Sequence, residues 1–285
     1  SMRVVLGVAL VGLVACVGYV FWRDPVAAIR ELGGRVSFDY KDEAWLVALG
    51  NTRVTDAGLV HLKGLTNLKE LALYGTKVTD TGLAHLKGLT NLEDLDLHGT
   101  KVTDLGLVHL ERLTKLNFIN LGGTKVTGTG LVHLKELRKL YWLGLSETKV
   151  THTGLAHIKG LTNLEWLVLS DTDITDAELV HLKELTNLQR LHLDGTKVTD
   201  AGLSHLKGLT NLDGLDLEGT GFTGPGMVHL EGLNNLRFLE LTKTKVTDAG
   251  LVHLKEMTNL KVLFIVGTLL TDAGLAHLKG LTKLE

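Results

Sequence analysis

The sequence predicts an α/β solenoid, with a parallel sheet on one side of a continuous core and short helices on the other. Three observations lead there. A threonine stands at Thr52 and at every 24th residue to Thr268, ten times without insertion or deletion. A histidine does the same from His61 to His277. Each 24-residue unit also carries two internal periods, alternation first and then a spacing of three, which read as a strand followed by a helix.

Taken in order, the chain begins with Ser1 before Met2, which reads as a scar of tag removal and is set aside. Val4–Trp22 follows, 19 residues without a charge. As a helix this run spans about 28 Å, close to the hydrocarbon thickness of a bilayer. Tyr19, Phe21 and Trp22 gather at one end, where aromatic rings favour the membrane interface. A buried core helix is the other option, but the run has no polar face to turn outward. Residues 1–23 are therefore read as a membrane anchor or signal segment, placing the chain in the cell envelope with its repeats outside the cytoplasm. Leu13-Val14-Ala15-Cys16 resembles a bacterial lipobox, whereas the apolar residues continuing to Trp22 suit a retained anchor, and both remain open. Arg23, Arg30, Arg35 and Lys41 against Arg3 lean towards a cytoplasmic C-terminal side.

Residues 24–43 do not fit the repeat and read as an N-terminal cap. Pro25 to Leu32 is a helix with proline in its first turn, stopped by Gly33-Gly34, and Arg35 to Tyr40 alternates like an edge strand.

The repeats run over residues 44–285, and residues 92–115 represent them. Leu92, Leu95 and Leu97 fall as L-x-x-L-x-L, the last two alternating as in a strand, and Gly99-Thr100-Lys101 is a turn that brings Val102 back inward. Thr103 and Asp104 are residues that cap a helix start. Leu107 and Leu110 share one face of about two helical turns, and Leu113 closes the unit. One unit alone buries too little to fold, so neighbours must stack. The sequence stops at Leu284-Glu285, two residues into an eleventh strand motif.

The pattern L-x-x-L-x-L-x-x-T-x-V resembles the leucine-rich repeat L-x-x-L-x-L-x-x-N-x-L, with threonine at the asparagine position. Segments such as Thr79-Asp80-Thr81-Gly82-Leu83 look like bacterial repeats of that family and are similar to the cysteine-containing repeats of F-box proteins. The resemblance implies an arc or horseshoe with the parallel sheet on its concave face and short helices on the convex one. It also implies a ladder between turns, which threonine hydroxyls would form here in place of asparagine amides.

Little in the sequence supports catalysis or a cofactor. Charges number 32 acidic against 30 basic, with no basic stripe for nucleic acid. Cys16 is the only cysteine, so there is neither a disulfide framework nor a thiolate metal site. No phosphate-loop motif occurs. Acidic pairs such as Asp94/Asp96 and Asp213/Asp216 read as a solvated strand face. The ten histidines in register invite a metal reading, but helices stacked about 8–10 Å apart keep adjacent rungs from sharing an ion whose nitrogens sit at about 2.0–2.1 Å. They read instead as side chains packing sideways between helices. No cofactor, metal or enzymatic activity is expected.

Binding is the function that the variable positions favour. The second x of L-x-x-L reads Glu70, Asp94, Phe118, Trp142, Trp166, Arg190, Gly214, Phe238 and Val262, with Tyr141 beside Trp142 and Phe264 on a later strand. Strands about 4.8 Å apart would set Phe118, Trp142 and Trp166 side by side as one aromatic stripe that Arg190 extends. Gly144 and Val168 in the next column would leave room beside the tryptophans. Aromatic and arginine side chains dominate interface hot spots. The expected function is recognition of a protein or peptide partner by Phe118, Tyr141, Trp142, Trp166, Arg190 and Phe238 on a monomeric ectodomain. The alternative is a structural or self-assembling scaffold, and a histidine-rich metal buffer is a distant third.

Overall fold

The computed structural model describes residues 24–285. The segment Val4–Trp22 and Cys16 lie outside the described residues, and no helix among the described residues is long and apolar enough to cross a membrane.

The N-terminal helix runs Pro25–Glu31, one residue short of the reading from sequence, and the Asp24 carboxylate accepts from the Val26 N–H at 3.0 Å. Strand β1 (Arg35–Phe38) pairs antiparallel with β2 (Ala44–Ala48). From β2 onward each unit adds one parallel strand, in the order β3 (Glu70–Ala72), β4 (Asp94–Asp96), β5 (Phe118–Asn120), β6 (Trp142–Gly144), β7 (Trp166–Val168), β8 (Arg190–His192), β9 (Gly214–Asp216), β10 (Phe238–Glu240) and β11 (Val262–Phe264). Pairing is in register with the repeat, so Leu71 faces Leu95 and Leu95 faces Ile119. Every side chain on one strand therefore has its 24-residue counterpart as its neighbour, and columns of equivalent positions run across the sheet.

The core is equally regular. Leu92, Leu95, Leu97, Val102, Leu107, Leu110 and Leu113 are all fully buried, as are their counterparts in the units on either side. Main-chain bonds join the turns as well as the strands: Gly75 N–H donates to His98 at 2.7 Å and Lys101 N–H to Val78 at 2.9 Å.

Three local expectations are corrected. The helical segments are mostly tighter than α-helix. Most are 3₁₀ segments such as Gly106–Leu110 and Glu178–Leu182, with α-helix confined to pieces such as Asp80–Leu83 and His152–Ile158. A 3₁₀ turn rises about 2.0 Å per residue against about 1.5 Å for α, which carries the chain back to the next strand in fewer residues. The threonine column does not bridge units. Each hydroxyl, from Thr52 to Thr268, donates at 2.5–2.8 Å to the carbonyl three residues earlier and closes its own turn. The aspartate of the Thr-Asp pair, expected to cap the helix of its own unit, reaches the next one, while the Thr103 hydroxyl accepts from its own unit's Leu105 N–H at 3.2 Å. Asp80 accepts from Thr103 N–H and Oγ1 at 2.7 Å each, and Asp200 accepts from Thr223, Gly224 and Gly226 N–H at 3.0, 3.0 and 2.8 Å.

A second inter-unit ladder comes from asparagines just ahead of the strand leucines. Asn91 Nδ2 donates to the Thr66 carbonyl at 2.8 Å, and Asn163, Asn187, Asn211, Asn235 and Asn259 make the same bond one unit apart. The sequence reading missed this ladder, although an asparagine recurring ahead of the leucine is its visible signal.

Candidate partner-binding face

Because pleating alternates side chains, the odd positions of β3–β11 enter the core and the even ones form a solvent face. The second-x column lies there in the order the repeat dictates. Phe118 is in register with Trp142, Trp142 with Trp166, and Trp166 with Arg190.

Within that column the rings do not behave alike. Phe118 and Trp142 stack with centroids 4.1 Å apart and planes 18° from parallel, and both are half-buried. The Trp142 ring lies over Gly144, where a β-carbon would fall 2.5 Å from its Cη2 atom. The gap expected beside the tryptophans is thus filled by Trp142 itself. Trp166 is not part of the stack. It stands 42% exposed on the next strand, and Tyr141 is 44% exposed beside it. The expected three-ring stripe is a two-ring stack flanked by two exposed rings, since only Gly144 gives a tryptophan room to lie down.

Arg190 does not simply extend the stripe. Its guanidinium is paired with the Asp213 carboxylate, which Arg237 also approaches at 3.5 Å. Phe238 meets Phe264 edge to face, with centroids 5.8 Å apart. These two residues stand apart from the Phe118–Trp166 group, separated from it by the salt-bridged strands.

The acidic positions are less solvated than expected. Glu70, Asp94 and Asp96 are half-buried on β3 and β4. Burial lifts all three carboxyls above their usual range; Asp94 and Glu93 add to this at Glu70, and Glu93 at Asp94, while the His98 N–H bond partly opposes it at Asp96. His192 at the end of β8, Asp194 in the turn after it and Asp216 at the end of β9 each hold one potential ligand atom within 4.8 Å of the others. Ser170 Oγ donates to Asp194 Oδ1 at 2.6 Å. Burial and the neighbouring Asp216 raise the Asp194 carboxyl against that bond.

The histidine column lies on the helical side, half-buried from His61 to His253, as expected of side chains packing between neighbouring segments. His133 pairs with Glu111, and His253 Nδ1 lies 2.7 Å from Glu231.

The leucine rich repeat family model matches residues 138–198. No curated protein matches the chain. Among solved structures, an internalin C2 from Listeria monocytogenes is similar with a TM-score of 0.59 and 26% identity, over 87% of this chain and 92% of that one. An internalin of the same organism aligns with a TM-score of 0.54 and 22% identity, over 84% and 78% of the two chains. A leucine-rich-repeat protein from Leptospira interrogans gives a TM-score of 0.66 and 24% identity over 79% of this chain, which spans 56% of that protein. Together with the sheet and its repeat, these establish the fold as a leucine-rich-repeat solenoid.

Proposed function

We propose that this leucine-rich-repeat chain is a non-enzymatic binding module that recognises a protein or peptide through the sheet face around Phe118, Tyr141, Trp142 and Trp166. The observation that carries the reading is Trp166. It exposes a large ring on the sheet, no other ring stacks on it among the described residues, and other units fold with Glu70 or Gly214 at the same position. Folding therefore does not require a tryptophan there. Rigid rings offer contact area at small entropic cost, and an exposed cluster of them is the kind of surface that marks a partner site. Arg190 and Phe238 take the role of flanking contacts. Anchoring by Val4–Trp22 would hold this face at the cell envelope, outside the cytoplasm, as a monomeric ectodomain.

The test is capture from the native envelope fraction with the wild-type chain and with Trp166→Ala. A protein retained by the wild type and lost with the variant supports the reading. A partner held equally by both, or no partner at all, overturns it. The membrane part is tested separately, by whether the full chain needs detergent for extraction.

A further inference from the structure

Two departures from the repeat fall on opposite sides of one junction. His152 occupies the position that is aspartate at 56, 80, 104, 176, 200, 248 and 272, and Glu178, one unit on, occupies the position that is glycine in every other unit. The two changes compensate each other. In a regular junction the aspartate of one unit fills the space over the glycine of the next, as at Gly82, where a β-carbon would lie 2.4 Å from Asp56 Oδ1. With His152 there, that space is free for Glu178. Its Oε2 accepts from Thr175 N–H and Oγ1 at 2.8 and 2.7 Å, which is the aspartate's task elsewhere.

The displaced imidazole turns to the next unit. His152 Nε2 lies 3.1 Å from His181 Nε2, with the rings edge to face and centroids 4.3 Å apart. On its other side, His152 Nδ1 lies 3.5 Å from Glu178 Oε1. That carboxylate favours the proton on Nδ1 and so leaves the Nε2 lone pair facing His181, as a carboxylate behind a metal-bound histidine does when it orients the ring. Two nitrogens at about 2.0–2.1 Å from a tetrahedral ion sit about 3.3 Å apart, so the pair already has a ligand–ligand spacing.

We propose that His152 and His181 bind one divalent ion of the zinc, nickel or copper class between neighbouring units on the helical side. Imidazole suits those ions, and the two protein donors leave its remaining positions to water. Lys159 and Glu178 are the charged groups that act on the pair. The regular histidine column contributes no such pair. His157 and His205 keep their ladder positions, with no second imidazole within hydrogen-bonding distance among the described residues. The His192–Asp194–Asp216 group on the sheet is the rival location. Its potential ligand atoms lie within 4.8 Å of one another, but Asp194 is already engaged by Ser170.

The experiment is titration of the full-length chain with Zn²⁺ alone, followed by calorimetry and by the thermal midpoint, since an ion that binds only the folded state raises that midpoint. One equivalent should bind, and affinity should fall about tenfold or more in His152→Ala and in His181→Ala but not in His157→Ala. Should His152→Ala not fold, His152→Asp with Glu178→Gly restores the regular junction and must abolish the site. No saturable binding by the wild type, or binding undiminished in these variants, overturns the proposal. Loss of binding only in Asp194→Asn with Asp216→Asn also overturns it and moves the ion to the sheet face.

Discussion

The ring of Phe118 lies almost parallel to that of Trp142, 4.1 Å away and one strand over, while Trp166, one strand further, is left out of the stack. This divides three residues of one column into two kinds. Trp142 is held between Phe118 and Gly144 and contributes to stability, so Trp142→Ala should lower it by about 1–3 kcal/mol, from the lost stacking and apolar burial. Trp166→Ala should change stability by under about 1 kcal/mol yet weaken partner affinity by about 2–4 kcal/mol, as hot-spot truncations do. Denaturant unfolding and binding on the same two variants check the division. Equal stability losses would abolish it.

Gly144 sets that geometry. A methyl group there would strike the Trp142 ring, so Gly144→Ala should swing the indole into solvent and unstack Phe118. The expected readout is a red shift in tryptophan emission with partner affinity lowered, while the buried leucines on either side keep the fold. An unshifted spectrum would mean that the ring does not depend on the glycine.

The inter-unit carboxylates make another prediction. Asp200 accepts from three backbone N–H groups and the Thr223 hydroxyl, so Asp200→Ala orphans all of them at once. Hydrogen bonds to a charged acceptor contribute about 1.5–3 kcal/mol, and the expected loss is about 2–3 kcal/mol. Asp173→Ala removes only an exposed pair with Lys197 and should leave the unfolding midpoint in place. Comparable losses in both variants would refute the ladder as a stabilising element.

The architecture was legible because a strict 24-residue period leaves no freedom in register: once Leu95 is assigned to the core, Leu71 and Ile119 follow. What the period cannot convey is which unit a polar side chain serves. Thr103 and Asp104 are adjacent in sequence and look like a local cap, yet Thr103 donates to Asp80 of the preceding unit and Asp104 accepts from Thr127 of the following one. Choosing between those patterns needs the distance between stacked units. The candidate site shows the same limit. The column order of Phe118, Trp142, Trp166 and Arg190 could be read directly, but not that Gly144 lets one indole lie flat or that Asp213 claims Arg190. Both depend on rotamers that neighbouring strands select.

The compensating pair supports a double-mutant cycle. His152→Asp alone would set a carboxylate against Glu178, and Glu178→Gly alone would leave Thr175 without its acceptor. Each should destabilise, whereas the double variant recreates the junction found at Asp56 and Gly82 and should recover most of the loss. The coupling expected for side chains sharing one network is about 1–3 kcal/mol. Additive effects of the two substitutions would show that the pair does not compensate.

Acid should loosen the solenoid from its helical side first. Burial lowers His109, His181 and His205 below the usual imidazole range, and electrostatic repulsion from Lys87, from His152 with Lys159, and from Lys183 lowers them further, against weaker pulls from Asp80, Glu178 and Asp176. Their folded pKa values lie under the unfolded value of about 6.5, so the unfolded chain takes up protons before the folded one does. Their contribution is complete above about pH 6.5 and is lost as pH falls from there through the folded values. At lower pH a second loss follows. Asp56, Asp104 and Asp200 are raised by burial but held lower overall by hydrogen bonds from the next unit, and that contribution disappears as pH falls through their folded values. Glu70, Asp94, Asp96 and Asp194 act in the opposite sense, because raised carboxyls are relieved by protonation and offset part of this second loss. The thermal midpoint should therefore drop between pH 7.5 and 5.5. Replacing His109, His181 and His205 together with glutamine should flatten the drop. An unchanged midpoint in the wild type, or an equal drop in the triple variant, would show that these histidines are not its source.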